Sequence, residues 1–381
     1  MSGLNETPSA NRVRIAFFGL RNAGKSTLVN AFTGQPNAIV SDTPGTTTDP
    51  VSKAMEILPL GPCLVTDTAG LDDEGELGAM RVQKTLKVLE TADIAVWVAS
   101  DGDADFRATF LKECAARKVA VFEYRRGDSV EELKRKIAAV RLGEADPGLL
   151  EGLVRPGDRV VCVCPIDASA PKGRLILPQV QVIRECLDRH VVCTVCQPEE
   201  LPDCLDSEAS DSKGCRLVIT DSQAFRAVSA TLERFRRSGG PAIALTSFSI
   251  LFARQKGEIG EYLKGLAAIS ALKDGDRVLV AEGCTHHRQC EDIGTVKIPK
   301  AVTKLAGGRK LEFVFASGGG FPVESAETGR IALIVQCGGC MLTRREVLRR
   351  IGLAKAAGIP IVNYGMVLAK AAGVEVEKCE M

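Results

Sequence analysis

The sequence predicts an α/β fold in three parts: a phosphate-binding-loop domain, then two smaller α/β domains. Three observations carry this. Short apolar strand candidates alternate with helical runs along the whole chain, the pattern of parallel sheets. A complete glycine-rich loop, Gly19-Leu20-Arg21-Asn22-Ala23-Gly24-Lys25-Ser26, lies between the first strand and the first helix, as its mechanism requires. Two cysteine groups, at Cys284 and at Cys337 to Cys340, fall just past the carboxyl ends of strands, where open α/β sheets place their sites.

In order, the first segment opens with a strand over Arg12 to Phe18 and a helix from Lys25 to Phe32. Strands at Cys63 to Thr66 and Ile94 to Ala99 follow, and later an apolar run, Val119 to Phe122. Residues 141–157 contain Pro147, Pro156 and several glycines and read as a domain boundary. The second segment has a strand from Arg159 to Cys164, a helix from Pro178 to Arg189 and a strand from Val191 to Val195. Gln197 to Gly214 is polar and loop-like. Then come a strand at Arg216 to Thr220, a helix at Ser222 to Arg237, a strand at Ala242 to Leu245 and a helix at Ser247 to Leu263. The third has strands at Arg277 to Ala281 and Ile331 to Val335, a helix from Arg344 to Ala357 and a last strand-helix repeat from Pro360. The expected domains are 1–157, 158–257 and 258–381.

Lys plus Arg number 49 and Asp plus Glu 48 among 381 residues, a net charge of +1. A protein that lives by binding phosphate backbone carries a basic excess, so no nucleic-acid partner is expected. Aromatics are only 4%, too few for base-stacking platforms. The longest apolar runs fall far short of the roughly 20 residues needed to span a bilayer, and Met1 to Asn11 is polar. The expectation is a soluble, cytoplasmic chain without a membrane partner. Its 14 cysteines are therefore not a disulfide scaffold. Cys162, Cys164 and Cys193 read as small buried hydrophobes on strands. Arg254-Gln255-Lys256, Arg344-Arg345 and Arg349-Arg350 read as solvated helix faces.

The glycine loop carries the clearest chemistry. Gly19, Asn22, Ala23, Gly24 and Thr27 belong to a backbone that wraps phosphates, with favourable partial charge from the helix N-terminus. Lys25 reaches the outer phosphates and Ser26 binds Mg²⁺. Asp67-Thr68-Ala69-Gly70 supplies a carboxylate for the Mg²⁺ shell and a glycine N–H for a γ-phosphate. Between them, Pro44-Gly45-Thr46-Thr47-Thr48-Asp49 suits a switch loop whose Thr47 hydroxyl closes on Mg²⁺. Lys25, Thr47, Asp67 and Gly70 are the expected catalytic set.

Together these motifs resemble the translation-factor-class GTPases of the tRNA-modification and ribosome-assembly type. That resemblance implies GTP as ligand and a potassium ion held partly by Asn22. It also fits Leu71, since such proteins lack a glutamine there. The guanine-reading N-K-x-D motif departs: this chain has Glu123-Tyr124-Arg125-Arg126-Gly127-Asp128, keeping only Asp128 as an acceptor for guanine N–H groups.

The later blocks Pro165 to Gln179, Thr220-Asp221-Ser222-Gln223-Ala224-Phe225, Leu245 to Arg254 and Gly275 to Leu279 resemble HydF, the maturation GTPase family of FeFe hydrogenases. The resemblance implies a middle domain that forms a homodimer and a last domain that holds a 4Fe-4S cluster. Cys284, Cys337 and Cys340 then match the cluster cysteines, and three thiolates leave one iron open. His286 and His287 are candidates for the fourth place, Glu282 a weaker one. Gln336 stands where the family has a histidine. Cys290 reads as a bystander and Cys379 as an adventitious thiol. The implied role is a scaffold that completes and delivers a diiron subcluster, with two radical-SAM maturases and the apo-hydrogenase as partners. From residue types alone, Cys284, Cys337, Cys340 and a histidine would equally make a closed zinc site. The rival reading is thus a GTPase regulator of RNA modification or ribosome assembly with a zinc-binding last domain.

Overall fold

A computed structural model describes residues 11–34, 51–73, 75–140, 147–166, 175–209, 214–283, 292–317, 321–322 and 330–374. The chain divides into two compact units at residues 145/146.

The first unit contains β1 (Val13–Phe18), α1 (Lys25–Thr33), β2 (Val51–Ile57), β3 (Gly61–Asp67), α2 (Gly75–Thr91), β4 (Ile94–Ala99), α3 (Ala104–Ala116), β5 (Ala120–Arg125) and α4 (Val130–Ala138). Its sheet has the order β2-β3-β1-β4-β5. All neighbours are parallel except the edge strand β2, antiparallel to β3. Alternation along β1 serves both faces. Ile15 and Phe17 pack with Leu28, Val29 and Phe32 of α1, while Ala16 and Phe18 pack with Trp97 and Phe110. A strand covered on both faces is apolar throughout, which is why β1 and β4 were legible. The sequence reading missed β2, where Ser52, Lys53 and Glu56 dilute the apolar signal.

The second unit holds two parallel sheets. Its first part comprises β6 (Arg159–Val163), α5 (Leu177–Asp188), β7 (Val192–Cys196), α6 (Leu201–Ala209), β8 (Cys215–Thr220), α7 (Phe225–Arg237), β9 (Ala244–Ser247) and α8 (Phe248–Lys256). The second comprises α9 (Ile259–Ala268), β10 (Arg277–Ala281), α10 (Ile298–Leu305), β11 (Glu312–Ala316), β12 (Ile331–Gln336), α11 (Arg344–Ala356), β13 (Ile361–Asn363) and α12 (Tyr364–Ala371). The strand orders are β7-β6-β8-β9 and β11-β10-β12-β13. In the latter, β10 lies between β11 and β12, so the sheet order reverses there. The crevice at the carboxyl ends of β10 and β12 is a topological switch point.

Three expectations are corrected. Residues 197–214 are not all loop: α6 buries Leu201 and Leu205 beneath the sheet. Its polar look comes in part from Glu208, buried against Arg159 in an ion pair and accepting from Thr194 Oγ1 at 3.0 Å. The single helix expected over Ser247 to Leu263 is two, α8 and α9, because the backbone is extended at Gly257. The first unit does not run to residue 157: Leu149, Leu150, Leu153 and Val154 pack into the core around β6 and α5 of the second unit.

Candidate functional site

The nucleotide site forms where β1 gives way to α1. Gly24, at the helix start, has φ +93°, and a side chain there would be strained. Asn22 also sits in the left-handed region at φ +61°, a conformation asparagine tolerates. Lys25 is buried and donates from Nζ to the carbonyls of Gly19 (3.2 Å) and Leu20 (2.6 Å), folding the loop over its own ammonium. Burial pulls Lys25 below the ordinary lysine value, with Asp67, Asp72 and Asp73 acting the other way.

Asp67 ends β3 beside this loop. Ser26 Oγ donates to its Oδ2 at 2.5 Å, and Oδ1 is buried without a hydrogen-bond partner among the described residues. Burial raises this carboxyl above the usual range, while the Ser26 hydrogen bond and the Lys25 charge lower it. A hydroxyl paired with a half-satisfied buried carboxylate suits Mg²⁺, which takes oxygen donors and keeps several waters. Thr68 Oγ1 anchors the following turn on Phe17 O at 2.7 Å. A Cβ on Gly70 would lie 2.7 Å from Arg21 N and 2.8 Å from Asp72 Oδ1, so only glycine fits against the loop. Asp72 Oδ1 itself accepts from Arg21 N–H at 2.5 Å, and Leu71 N donates to Gly19 O at 3.3 Å. The sequence reading overlooked Asp72; its place two residues past Gly70 was the available signal.

Asp128 is exposed, and its Oδ2 accepts from Arg125 N–H at 2.7 Å, closing the turn after β5. Glu123 pairs with Arg107 and Arg125. No asparagine or lysine stands in this loop. Thr47 and the rest of the threonine-rich loop lie outside the described residues.

At the switch point of the second unit, Cys337 and Cys340 follow β12. Ala281 and Gln336 are in register across β10 and β12, so the two strand ends emerge side by side. Gly283, the residue before Cys284, donates its N–H to Cys337 Sγ at 3.1 Å. Burial raises Cys337, opposed by the Gly339 and Gly283 amides and by Arg350. Burial likewise pushes Cys340 up to about 11, with Cys337 adding to it and Lys256 opposing it. Gln336 is buried: Nε2 donates to Tyr262 Oη at 3.3 Å, and Oε1 has no partner among the described residues. Glu282, also buried, accepts from Tyr364 Oη at 3.5 Å. Cys284, His286, His287, Cys290 and Cys379 lie outside the described residues. Among the described residues no three His, Cys, Asp or Glu side chains form a metal-holding group.

Two of the supposed solvated basic patches are partly interior. Lys256 is 3% exposed and donates to Gly339 O at 3.1 Å and Leu342 O at 2.7 Å. Arg350 is wholly buried, with Nε donating to Glu346 Oε1 at 2.8 Å. The Lys256 contacts reach more than 80 residues along the chain, whereas Arg350 pairs with Glu346 one turn earlier on α11 and is buried by the packing of that helix. Cys162 and Cys164 are buried as expected, whereas Cys193 is half-buried and donates to Cys162 Sγ at 3.6 Å.

The β1–α1 loop, the Asp67–Gly70 turn and their sheet define a P-loop GTPase. Residues 14–125 match the family model described as 50S ribosome-binding GTPase. Residues 149–257 match the hydrogen maturase F dimerization domain, and residues 260–379 the hydrogen maturase F tetramerization domain. The chain belongs to the HydF hydrogenase maturase family, and it is a GTPase with two oligomerisation domains. Among curated relatives, GTPase Der of Wolinella succinogenes is 41% identical over 98 residues, 25% of this chain and 20% of that protein. The tRNA modification GTPase MnmE of Endomicrobium trichonymphae is 34% identical over 112 residues, 29% of this chain and 23% of that protein. The chain thus spans about a fifth of the length of these relatives, within the GTPase part alone. A solved structure of an Aquifex aeolicus Era variant bound to GDP and aluminium fluoride has a TM-score of 0.26 at 15% identity. It covers 80% of this chain and 92% of its own. No helix among the described residues is long and apolar enough to cross a membrane.

Proposed function

We propose that this chain is the GTP-dependent scaffold of FeFe-hydrogenase maturation, holding a 4Fe-4S cluster on which a diiron subcluster is carried and passed to the apo-hydrogenase. The observation that carries the reading is the C-x-x-C at the switch point of the domain matched by the hydrogen maturase F tetramerization model. Cys337 Sγ already accepts a backbone N–H there, the kind of bond that stabilises a metal-bound thiolate. Cys284 follows directly on the donor residue, and these three thiols are the proposed ligands, with His286 or His287 offered to the fourth iron. When bound, the cluster supplies an iron site open to an exchangeable donor. The diiron unit is cargo, and the two radical-SAM maturases and the apo-enzyme are the proposed partners. Residues 1–145 are assigned the nucleotide role, 146–257 dimerisation and 258–381 the cluster.

In the nucleotide site, Lys25 turns from its two carbonyl contacts to the outer phosphates, and Ser26 and Asp67 hold Mg²⁺. The Gly70 N–H would meet the γ-phosphate, and the Thr47 hydroxyl would close on the Mg²⁺. Asn22 contributes to a K⁺ site that speeds hydrolysis. The chain works in the cytoplasm as a homodimer or a dimer of dimers.

The test is anaerobic purification and reconstitution with ferrous iron and sulfide. A brown protein with about four iron and four sulfide per chain is expected. A colourless protein with one tightly held zinc would overturn the cluster and support the closed zinc site.

A further inference from the structure

The residue that shapes the C-x-x-C loop comes from outside its own domain. Lys256 is the last residue of α8, in the segment matched by the dimerization model. The residue is 3% exposed, and its ammonium reaches carbonyls on either side of Cys340: that of Gly339, immediately before it, and that of Leu342, two residues after it. The ammonium lies over Phe252, with Nζ 5.0 Å from the ring centroid.

A second contact from the same helix reinforces the first. Ser249 Oγ lies 3.1 Å from Asn363 Oδ1, and Asn363 Nδ2 donates to Cys337 O at 3.4 Å. A Cβ on Gly338 would lie 3.0 Å from Ser249 Oγ, so the loop is laid closely on α8. Cys340 itself packs against the core built by Phe248, Leu251 and Phe252.

Taking an ammonium out of water costs several kcal/mol unless opposite charge or strong acceptors meet it. A positive group becomes worth its burial when the loop it grips carries negative charge, and metal-bound cysteines are thiolates.

We infer that Lys256 is a positioning residue for the thiolate site, fixing the loop around Cys340 from the dimerisation domain and supplying a buried positive charge to the anionic cluster bound there. The inference rests on the cluster reading above. Lys256 also ties the two domains of the second unit together at the site, so a disturbance of α8 is transmitted to the ligand loop.

The test compares full-length wild type with Lys256→Arg, Lys256→Gln and Lys256→Met after anaerobic reconstitution. Iron and sulfide content, GTPase rate, far-UV circular dichroism and the reduction potential of the cluster are measured. Arg retains the charge; Gln retains donors without charge; Met matches the stem length without either. Expected are a potential near wild type in the Arg variant and a more negative one in both neutral variants, since loss of a nearby cation disfavours the added electron. A wild-type potential in the folded Gln or Met variant overturns the proposal, leaving Lys256 a carbonyl cap. A wild type that takes up no cluster instead sinks the reading beneath it, which the iron and sulfide content reveals separately.

Should neither neutral variant fold, the wild type itself decides. With lysine labelled at its ε-nitrogen, pulsed EPR of the reduced cluster is expected to show a weak dipolar coupling that disappears in Lys256→Arg. No such coupling in the wild type overturns the proposal.

Discussion

The nucleotide site and the thiol site are built in opposite ways. Most of the hydrogen bonds that shape the first join residues between Val13 and Asp73, such as Ser26 to Asp67, Arg21 to Asp72 and Thr68 to Phe17, with Thr85 of α2 added on Ala69 O. Two strands, β1 and β3, with the loop and turn that follow them and the start of α1, make it, inside a single compact unit. The thiol site draws on α8, the end of β10, the loop after β12 and Asn363 at the end of β13. Its contacts bridge 54 to 86 residues between Gly283, Lys256 and the C-x-x-C loop. A local site keeps its geometry as long as its own element pair is folded. A dispersed one depends on packing between domains, which exposes it to whatever those domains bind.

The sharpest break between the two sites comes from Lys25→Ala. Phosphoryl transfer is catalysed almost wholly by positioning and charge, so losing the cation at the outer phosphates is expected to remove GTP hydrolysis, by at least about a hundredfold in kcat. Iron and sulfide uptake at the thiol site should stay at the wild-type level. Steady-state phosphate release alongside iron analysis measures both. Undiminished hydrolysis in the purified variant would defeat the assignment of Lys25.

The mirror experiment is Cys337→Ala or Cys340→Ala. Each removes a thiolate from a site with three proposed cysteines and should abolish cluster assembly while GTP hydrolysis continues. Cys290→Ala, by contrast, is expected to keep the cluster, and its loss there would reveal a fourth thiolate.

These two sites also differed in how far the sequence disclosed them. The P-loop needs glycines, Lys25 and Ser26 at fixed spacing because the phosphates dictate it, so spacing alone revealed its position and its strand-loop-helix setting. The C-x-x-C was likewise visible from its spacing alone. Its surroundings were not. Lys256 and Arg350 looked like members of solvated basic runs, because burial of a cation is decided by partners more than 80 residues away in one case and by packing of α11 in the other. The α6 helix was hidden by a buried ion pair, which reads as polar surface until Arg159 is brought to Glu208. The shift of residues 149–154 into the second unit was equally invisible, since Pro147 and Pro156 signal turns and say nothing about which core the leucines between them enter.

A smaller effect is expected in base selection. Asp128 is the one retained acceptor, and it already accepts from Arg125 N–H. A site lacking partners for the correct base loses much of its means of rejection. Competition titrations should therefore show less than about a thousandfold preference for GTP over ATP, below what dedicated polar recognition reaches. A larger preference would mean that guanine is read by other groups near β5.

The finest contrast concerns Asp72. Its carboxylate caps Arg21 N–H in the P-loop at 2.5 Å, on a loop whose amides otherwise turn toward phosphate. An anion in that place competes with the ligand and repels it. Asp72→Asn keeps an acceptor of the same shape and removes the charge. A hydrogen bond to a charged group is worth about 1 kcal/mol more than a neutral one, so the amide should be released more readily. Nucleotide affinity is then expected to rise by about fivefold, the equivalent of that difference. The gain should be larger for GTP than for GDP, because the triphosphate carries more charge toward the loop, and it should shrink at high salt. Titration of fluorescent GTP and GDP analogues at two ionic strengths measures all three. Weaker binding in the variant would reverse the assignment: Asp72 would then serve the bound nucleotide, and the contact with Arg21 would belong to the empty loop alone. Cluster content, again, is expected not to move, because no described partner of Asp72 lies beyond the first unit.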